Sequence, residues 1–211
     1  LDHARAPHRL AAVPPILFLP GAAGSAEFWR PVADRLAGLG PAHRLGYPGF
    51  GGLPPDPAIR SLDDLFRWVV ARLPEGASHV VAQSMGGVLA ARLAIELPER
   101  VDRLVLCATS GGVDVARLGG AEWRHEYRRS LPDVPGWFVD DRTDLTARLP
   151  SIRARTLLLW SDADPVSPLA VAHHLAGLIP GASIETVAGG THAFARELPD
   201  RVAAIVRAHL A

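Results

Sequence analysis

The 211-residue chain of 22.5 kDa, 48% of it hydrophobic, is long enough to bury one sizeable core and short for two, so a single domain over 1–211 is expected. Its 22 basic and 22 acidic residues balance, which excludes a global field for nucleic acid, an anionic membrane surface or a strongly charged partner and favours a small-molecule substrate. The single cysteine, Cys107, excludes an intramolecular disulfide; the longest apolar runs, 104–108 and 157–160, fall far short of the roughly 20 residues of a membrane span; and no signal peptide is visible, so the cytoplasm is the default location.

Short β-branched or leucine-rich runs alternate with longer amphipathic ones, the pattern of a parallel sheet covered by helices on both faces. Ile16–Leu19 reads as a buried strand ended by Pro20-Gly21, 27–39 as a helix capped near Ser25 or Ala26, and 44–47 as a weaker strand. Glycine and proline are so dense in 48–57 that it must be a loop. Ser61 is expected to cap a helix whose first turn carries Asp63 and Asp64, where carboxylates favour the helix dipole. Strand 79–83 runs into helix 84–97, which Pro98 stops, and strand 104–108 carries Cys107. From 110 to 150 the alternation lapses into glycines, an Arg/Glu-rich stretch and scattered prolines, so this is the candidate insertion. Strand 156–160, helix 168–178, strand Ser183–Val187 and helix 195–210 complete the chain. All 22 basic residues are arginine and there is no lysine or asparagine, a bias expected of a GC-rich, bacterial genome.

About six strands in βαβ order imply right-handed crossovers, and catalytic groups in such a sheet collect beyond the carboxyl ends of the strands. Four loops therefore matter, after Leu19, Gln83, Trp160 and Val187. In Ala82-Gln83-Ser84-Met85-Gly86-Gly87 the small residues two before and two after the serine permit a sharp strand-to-helix turn. Ser84 would stand at a helix N-terminus, where free amides, that of Met85 first, favour an oxyanion.

A serine hydroxyl needs a base, and histidine titrates in the right range. Of nine histidines, His3 and His8 fall in a loose N-terminus and His173, His174 and His209 on helices, while His43, His79 and His125 sit at strand edges or in the insertion. His192, in Gly189-Gly190-Thr191-His192, follows the last strand and precedes the last helix. Ser161-Asp162-Ala163-Asp164-Pro165 offers two carboxylates, of which Asp164 is preferred over Asp162. The order Ser, acid, His differs from that of the chymotrypsin and subtilisin types. A second oxyanion donor would come from Leu19-Pro20-Gly21-Ala22-Ala23-Gly24-Ser25, with the amide of Ala22 as the candidate. A Walker A loop is excluded, because no Gly-Lys-Ser/Thr ending exists.

Together these residues resemble the α/β-hydrolase superfamily from about Ile16 to Leu210. Leu19-Pro20-Gly21 through Phe28-Trp29 is similar to the family's first strand and oxyanion loop, and Tyr47-Pro48-Gly49-Phe50-Gly51 to its Asp-x-Pro-Gly-x-Gly loop. Leu97-Pro98-Glu99-Arg100-Val101 is similar to its exit from the nucleophile helix. Asp164-Pro165-Val166-Ser167-Pro168 resembles its acid turn, in which the aspartate before the proline is the catalytic acid. The resemblance implies an α/β-hydrolase fold: a mostly parallel sheet of about six strands, helices on both faces and a short insertion before the acid-bearing strand. The chain departs from the pattern in three places. Pro20 stands for the usual histidine, so the hydrogen bonds that brace the loop must come from elsewhere; Ala82 stands for the first elbow glycine; and 1–14 is too short for the N-terminal strand pair of larger members.

The expected activity is acyl transfer from a small ester to water, with Ser84 as nucleophile, His192 as base and Asp164 orienting it, without cofactor or metal. Trp123, Tyr127, Trp137 and Phe138 are candidate pocket walls, and Arg124, Arg128 and Arg129 candidate partners for a substrate carboxylate or simply a solvated face. The resemblance also covers C–C bond hydrolases, perhydrolases and small lyases with the same triad, and a non-catalytic ligand binder is the reading from another class. A dehalogenase is disfavoured, since that branch carries aspartate where Ser84 stands; oligomeric state is left open by the sequence.

Overall fold

Strands β1 (Ile16–Leu19), β2 (Ala42–Arg44), β3 (Ser78–Gln83), β4 (Val101–Cys107), β5 (Arg155–Ser161) and β6 (Ser183–Val187) form one sheet in the order β2-β1-β3-β4-β5-β6. Every neighbouring pair is parallel. The computed structural model describes residues 13–22 and 24–211; the expectations for His3, His8 and a missing strand pair before residue 13 lie outside them.

Period-2 alternation explains why the central strands read as continuous apolar runs. Leu17, Val80, Leu104, Leu106, Leu158 and Trp160 join one core, under α2 (Leu62–Val70), α3 (Met85–Glu96) and α6 (Leu169–Leu178). Phe18, Val81, Val105, Leu157 and Leu159 face the other, with residues of α1 (Arg30–Arg35), α7 (Phe194–Glu197) and α8 (Pro199–Leu210). Ser61 caps α2 by accepting from the Asp64 amide at 3.1 Å. Among the described residues no helix is long and apolar enough to cross a membrane.

The structure shifts several expected boundaries, each for a backbone reason. The helix expected over 27–39 begins as a 3-10 turn, Ala26–Trp29, closed by the Arg30 amide on Glu27. Pro31, lacking an N–H, fits only the first turn of a new helix, α1, which ends at Arg35. The strand expected over 44–47 lies earlier, at Ala42–Arg44, because β1 offers it partners only at Ile16, Leu17 and Phe18. The last helix is divided into α7 and α8 by Pro199, which cannot donate to the preceding turn and starts α8 instead. Within 110–150 stand two short helices, α4 (Arg124–Ser130) and α5 (Trp137–Asp140), and none of the strands.

Candidate active site

Between β3 and α3 the chain turns so sharply that Ser84 adopts φ 52 and ψ −122. A positive φ on a residue with a Cβ costs about 1–3 kcal/mol and persists only when its surroundings over-determine it. Here the Ser84 amide donates to the Cys107 carbonyl at 3.1 Å, and the Thr109 hydroxyl donates to the Ser84 carbonyl at 2.6 Å. The two glycines that follow are needed for close approach. A Cβ on Gly86 would lie 2.6 Å from the Leu19 carbonyl oxygen, and one on Gly87 2.5 Å from Thr109 Cβ. Ala82, in the place of a glycine, is fully buried in the core. The Met85 amide is the first of α3, a position with no partner inside its own helix.

The loops after β5 and β6 bring two further side chains to this turn. His192 Nε2 lies 3.0 Å from Ser84 Oγ, and His192 Nδ1 lies 2.7 Å from Asp164 Oδ2. The Asp164 side chain is fully buried, and its Oδ1 accepts the amides of Val166 at 2.9 Å and Ser167 at 3.2 Å, which fixes Oδ2 towards the ring. A carboxylate only accepts, so Nδ1 carries the proton and Nε2 is left to accept from the serine hydroxyl. Asp162 is directed elsewhere: it accepts the Gly189 amide at 2.8 Å and so ties down the loop that bears His192. The Ser161 hydroxyl reaches the carbonyls of Gly189 and Gly190 at 2.8 and 2.9 Å, and Gln83 Nε2 donates to the His192 carbonyl at 3.1 Å. Glu197 takes the Thr191 amide at 2.8 Å. Beneath the site, burial and the Asp164 charge push the Cys107 thiol well above its usual range, so it stays protonated and inert.

The loop after β1 closes the other side. Gly21 comes so near that a Cβ there would sit 2.9 Å from Ser84 Cβ. With Pro20 unable to brace this loop, Trp29 Nε1 donates to the Leu19 carbonyl at 2.9 Å, the Gly24 amide to Gly21 at 3.2 Å, and the Tyr127 hydroxyl to Ala22 at 3.0 Å. Ala22, Ser84, Met85 and His192 all face one open cleft of about 1340 Å³.

Trp123, Tyr127 and Phe138 line that cleft, but Trp137 is not among its walls. Its ring lies edge-on to Phe50, 5.7 Å between centroids, and so docks the insertion on the body of the protein. Arg124 borders the cleft, whereas Arg128 pairs with Asp140 at 2.6 Å and Arg129 with Glu126 at 2.5 Å. Sequence reasoning missed the supporting roles of Gln83, Thr109 and Phe50, and the cleft-lining Arg142 and Arg196. Gln83 is marked only by its place before Ser84 and Phe50 only by its place in the 47–51 loop; Thr109, Arg142 and Arg196 carry no local signal. Among the described residues there is no group of three or more His, Cys, Asp or Glu arranged to hold a metal.

Comparison with known proteins agrees with this geometry at the level of fold. A family model described as alpha/beta hydrolase fold matches residues 14–147. The chain is 28% identical over 238 residues to the dihydrolipoyllysine-residue acetyltransferase component of an acetoin cleaving system from Cupriavidus necator, covering 92% of this chain but only 63% of that protein. It is 37% identical over 97 residues to a pimeloyl-[acyl-carrier protein] methyl ester esterase from Nitrosomonas europaea, covering 46% of this chain and 38% of the relative. The crystal structure of a hydrolase from Pseudomonas aeruginosa superposes with a TM-score of 0.77 at 22% identity, over 93% of this chain and 89% of that one.

Proposed function

This chain belongs to the alpha/beta hydrolase fold family, and from that premise we propose that it is a serine hydrolase that cleaves a small ester or related acyl substrate through an acyl-enzyme. The observation that carries the reading is the relay of contacts from Ser84 Oγ to His192 Nε2 at 3.0 Å and from His192 Nδ1 to Asp164 Oδ2 at 2.7 Å. A buried carboxylate without a partner would be costly. One that accepts two amides and an imidazole N–H stabilises the imidazolium formed when the ring takes a proton.

In the first step Ser84 Oγ bonds to the acyl carbon while its proton passes to His192 Nε2, and the carbonyl electron pair moves onto oxygen. The amides of Met85 and Ala22 meet that negative charge. Donors fixed beforehand contribute most here, because nothing must reorganise as the charge appears. Collapse of the tetrahedral species breaks the bond to the alcohol, which leaves with the proton from Nε2. Water then attacks the acyl carbon as its proton passes to His192 Nε2, and collapse breaks the bond to Ser84 Oγ, which takes that proton back as the acid is released. The apolar walls formed by Trp123, Tyr127 and Phe138 suit an uncharged acyl or alcohol portion, and an esterase among the relatives supports ester over C–C chemistry.

The test is turnover of p-nitrophenyl esters of graded acyl length, beside covalent labelling by a fluorophosphonate. Wild type should label at Ser84, and Ser84→Ala should lose labelling and about three orders of magnitude or more in kcat. A Ser84→Ala protein that keeps most of its turnover overturns the assignment.

A further inference from the structure

The hydroxyl of Tyr127 belongs to the insertion, on α4, yet its partner is main chain 105 residues away, the carbonyl of Ala22 at 3.0 Å. That carbonyl sits in the peptide plane just after Ala22. The plane just before Ala22 holds the Ala22 N–H together with the Gly21 carbonyl, and Gly21 O is held by the Gly24 amide at 3.2 Å. Peptide planes are rigid, so a hold on each restrains the two soft torsions between them at Ala22, and release of either lets the direction of the Ala22 N–H drift.

The phenol is itself held in place. Its ring lies edge-on to Trp123, 5.6 Å between centroids, and against Phe138, also 5.6 Å. Phe138 in turn meets Phe50, a fully buried residue of the loop after β2. A contact path thus runs from the protein body through Phe50, Phe138 and Tyr127 to Ala22. Burial raises the Tyr127 pKa, so the hydroxyl remains a donor throughout the range in which a histidine base works.

We propose that Tyr127 is a positioning residue: through its hydrogen bond to Ala22 the docked insertion aims the Ala22 N–H at the oxygen on which charge develops during attack by Ser84. The inference rests on the serine-hydrolase reading above. It assigns the insertion a part in rate as well as in shaping the cleft, and it supplies a brace that Pro20 cannot give. Because the charge exists only in the transition state, loss of this aim should lower kcat and leave KM nearly unchanged.

The experiment compares wild type, Tyr127→Phe and Ser84→Ala with p-nitrophenyl acetate, and follows the rate of fluorophosphonate labelling. For wild type and Tyr127→Phe turnover is expressed per site titrated by the fluorophosphonate, so that any misfolded fraction drops out, and for Ser84→Ala, which has no such site, per protein. Tyr127→Phe keeps the ring and removes the donor. Its kcat per titrated site and its labelling rate should both fall about tenfold, the scale of one lost hydrogen bond, with KM within about twofold. An unchanged kcat, or a raised KM with kcat intact, overturns the positioning role while Ser84 labelling of the wild type leaves the hydrolase reading standing. Wild type that neither labels nor turns over, or Ser84→Ala that does both, overturns the two together.

Discussion

The two sides of the cleft are held by different parts of the molecule. Around His192, the loop after β6 is tied by Asp162 and Ser161 at the end of β5, by Gln83 at the end of β3, and by Glu197 on α7. Three of these four anchors stand at the ends of strands whose places the sheet already determines, and they are redundant. Around Ala22, the loop after β1 has Trp29 and its own turn on one side and, on the other, a phenol from an insertion that contributes no strand. His192 is therefore held by the fold itself, and the loop that carries Ala22 in part by the docked insertion. Substitutions on the two sides should fail in different ways.

The largest contrast after the loss of Ser84 is expected within the acid turn. Asp164→Asn removes the acceptor that sets the imidazole tautomer and should lower kcat by about 10³–10⁴. Asp162→Asn keeps an oxygen for the Gly189 amide and leaves the neighbouring anchors in place, so a loss within about tenfold is expected. Steady-state kinetics with an activated ester rank the two, and the reverse order would move the acid to Asp162. Next comes the root of the insertion. Phe50→Ala empties a fully buried site beneath Trp137 and Phe138 and should cost about 3–5 kcal/mol in urea denaturation. It should also lower kcat more than KM if docking sets the Ala22 amide. The smallest effect is expected at the insertion's surface. The Arg128–Asp140 pair is more than half exposed on both sides, and Arg128→Ala should shift Tm by less than about 4 °C. A larger shift would mean that ion pairs, rather than aromatic edges, hold the insertion down.

Much of the sheet could be read from the chain because each strand is short, apolar and bounded by residues that punctuate. The limits of β1 and β6 coincide with the expected Ile16–Leu19 and Ser183–Val187, and α6 begins one residue inside its expected start. Boundaries moved at a proline within an otherwise helical pattern, at Pro31 and Pro199, at an edge strand limited by its partner, at Ala42–Arg44, and in β4, expected over 104–108, which starts at Val101 because its pairing with β3 begins there. The turn at Ser84 was legible for a local reason: a residue with a Cβ at φ 52 needs small neighbours, and Ala82, Gly86 and Gly87 supply them within three residues on either side.

By itself, then, the sequence determined the α/β alternation, the strand-to-helix turn at Ser84, and which loops carry Asp164 and His192, since each is written in contiguous residues. Its place before Pro165 already marked Asp164 over Asp162 in the sequence; tertiary structure alone decided what Asp162 does instead, which is to tie the histidine loop through the Gly189 amide. It likewise decided that Trp137 turns to Phe50 rather than the cleft, because a four-residue helix has too little periodicity to declare its faces. The bond from Tyr127 to Ala22 joins residues 105 apart, and no local pattern encodes a contact that exists only once two distant segments have packed together.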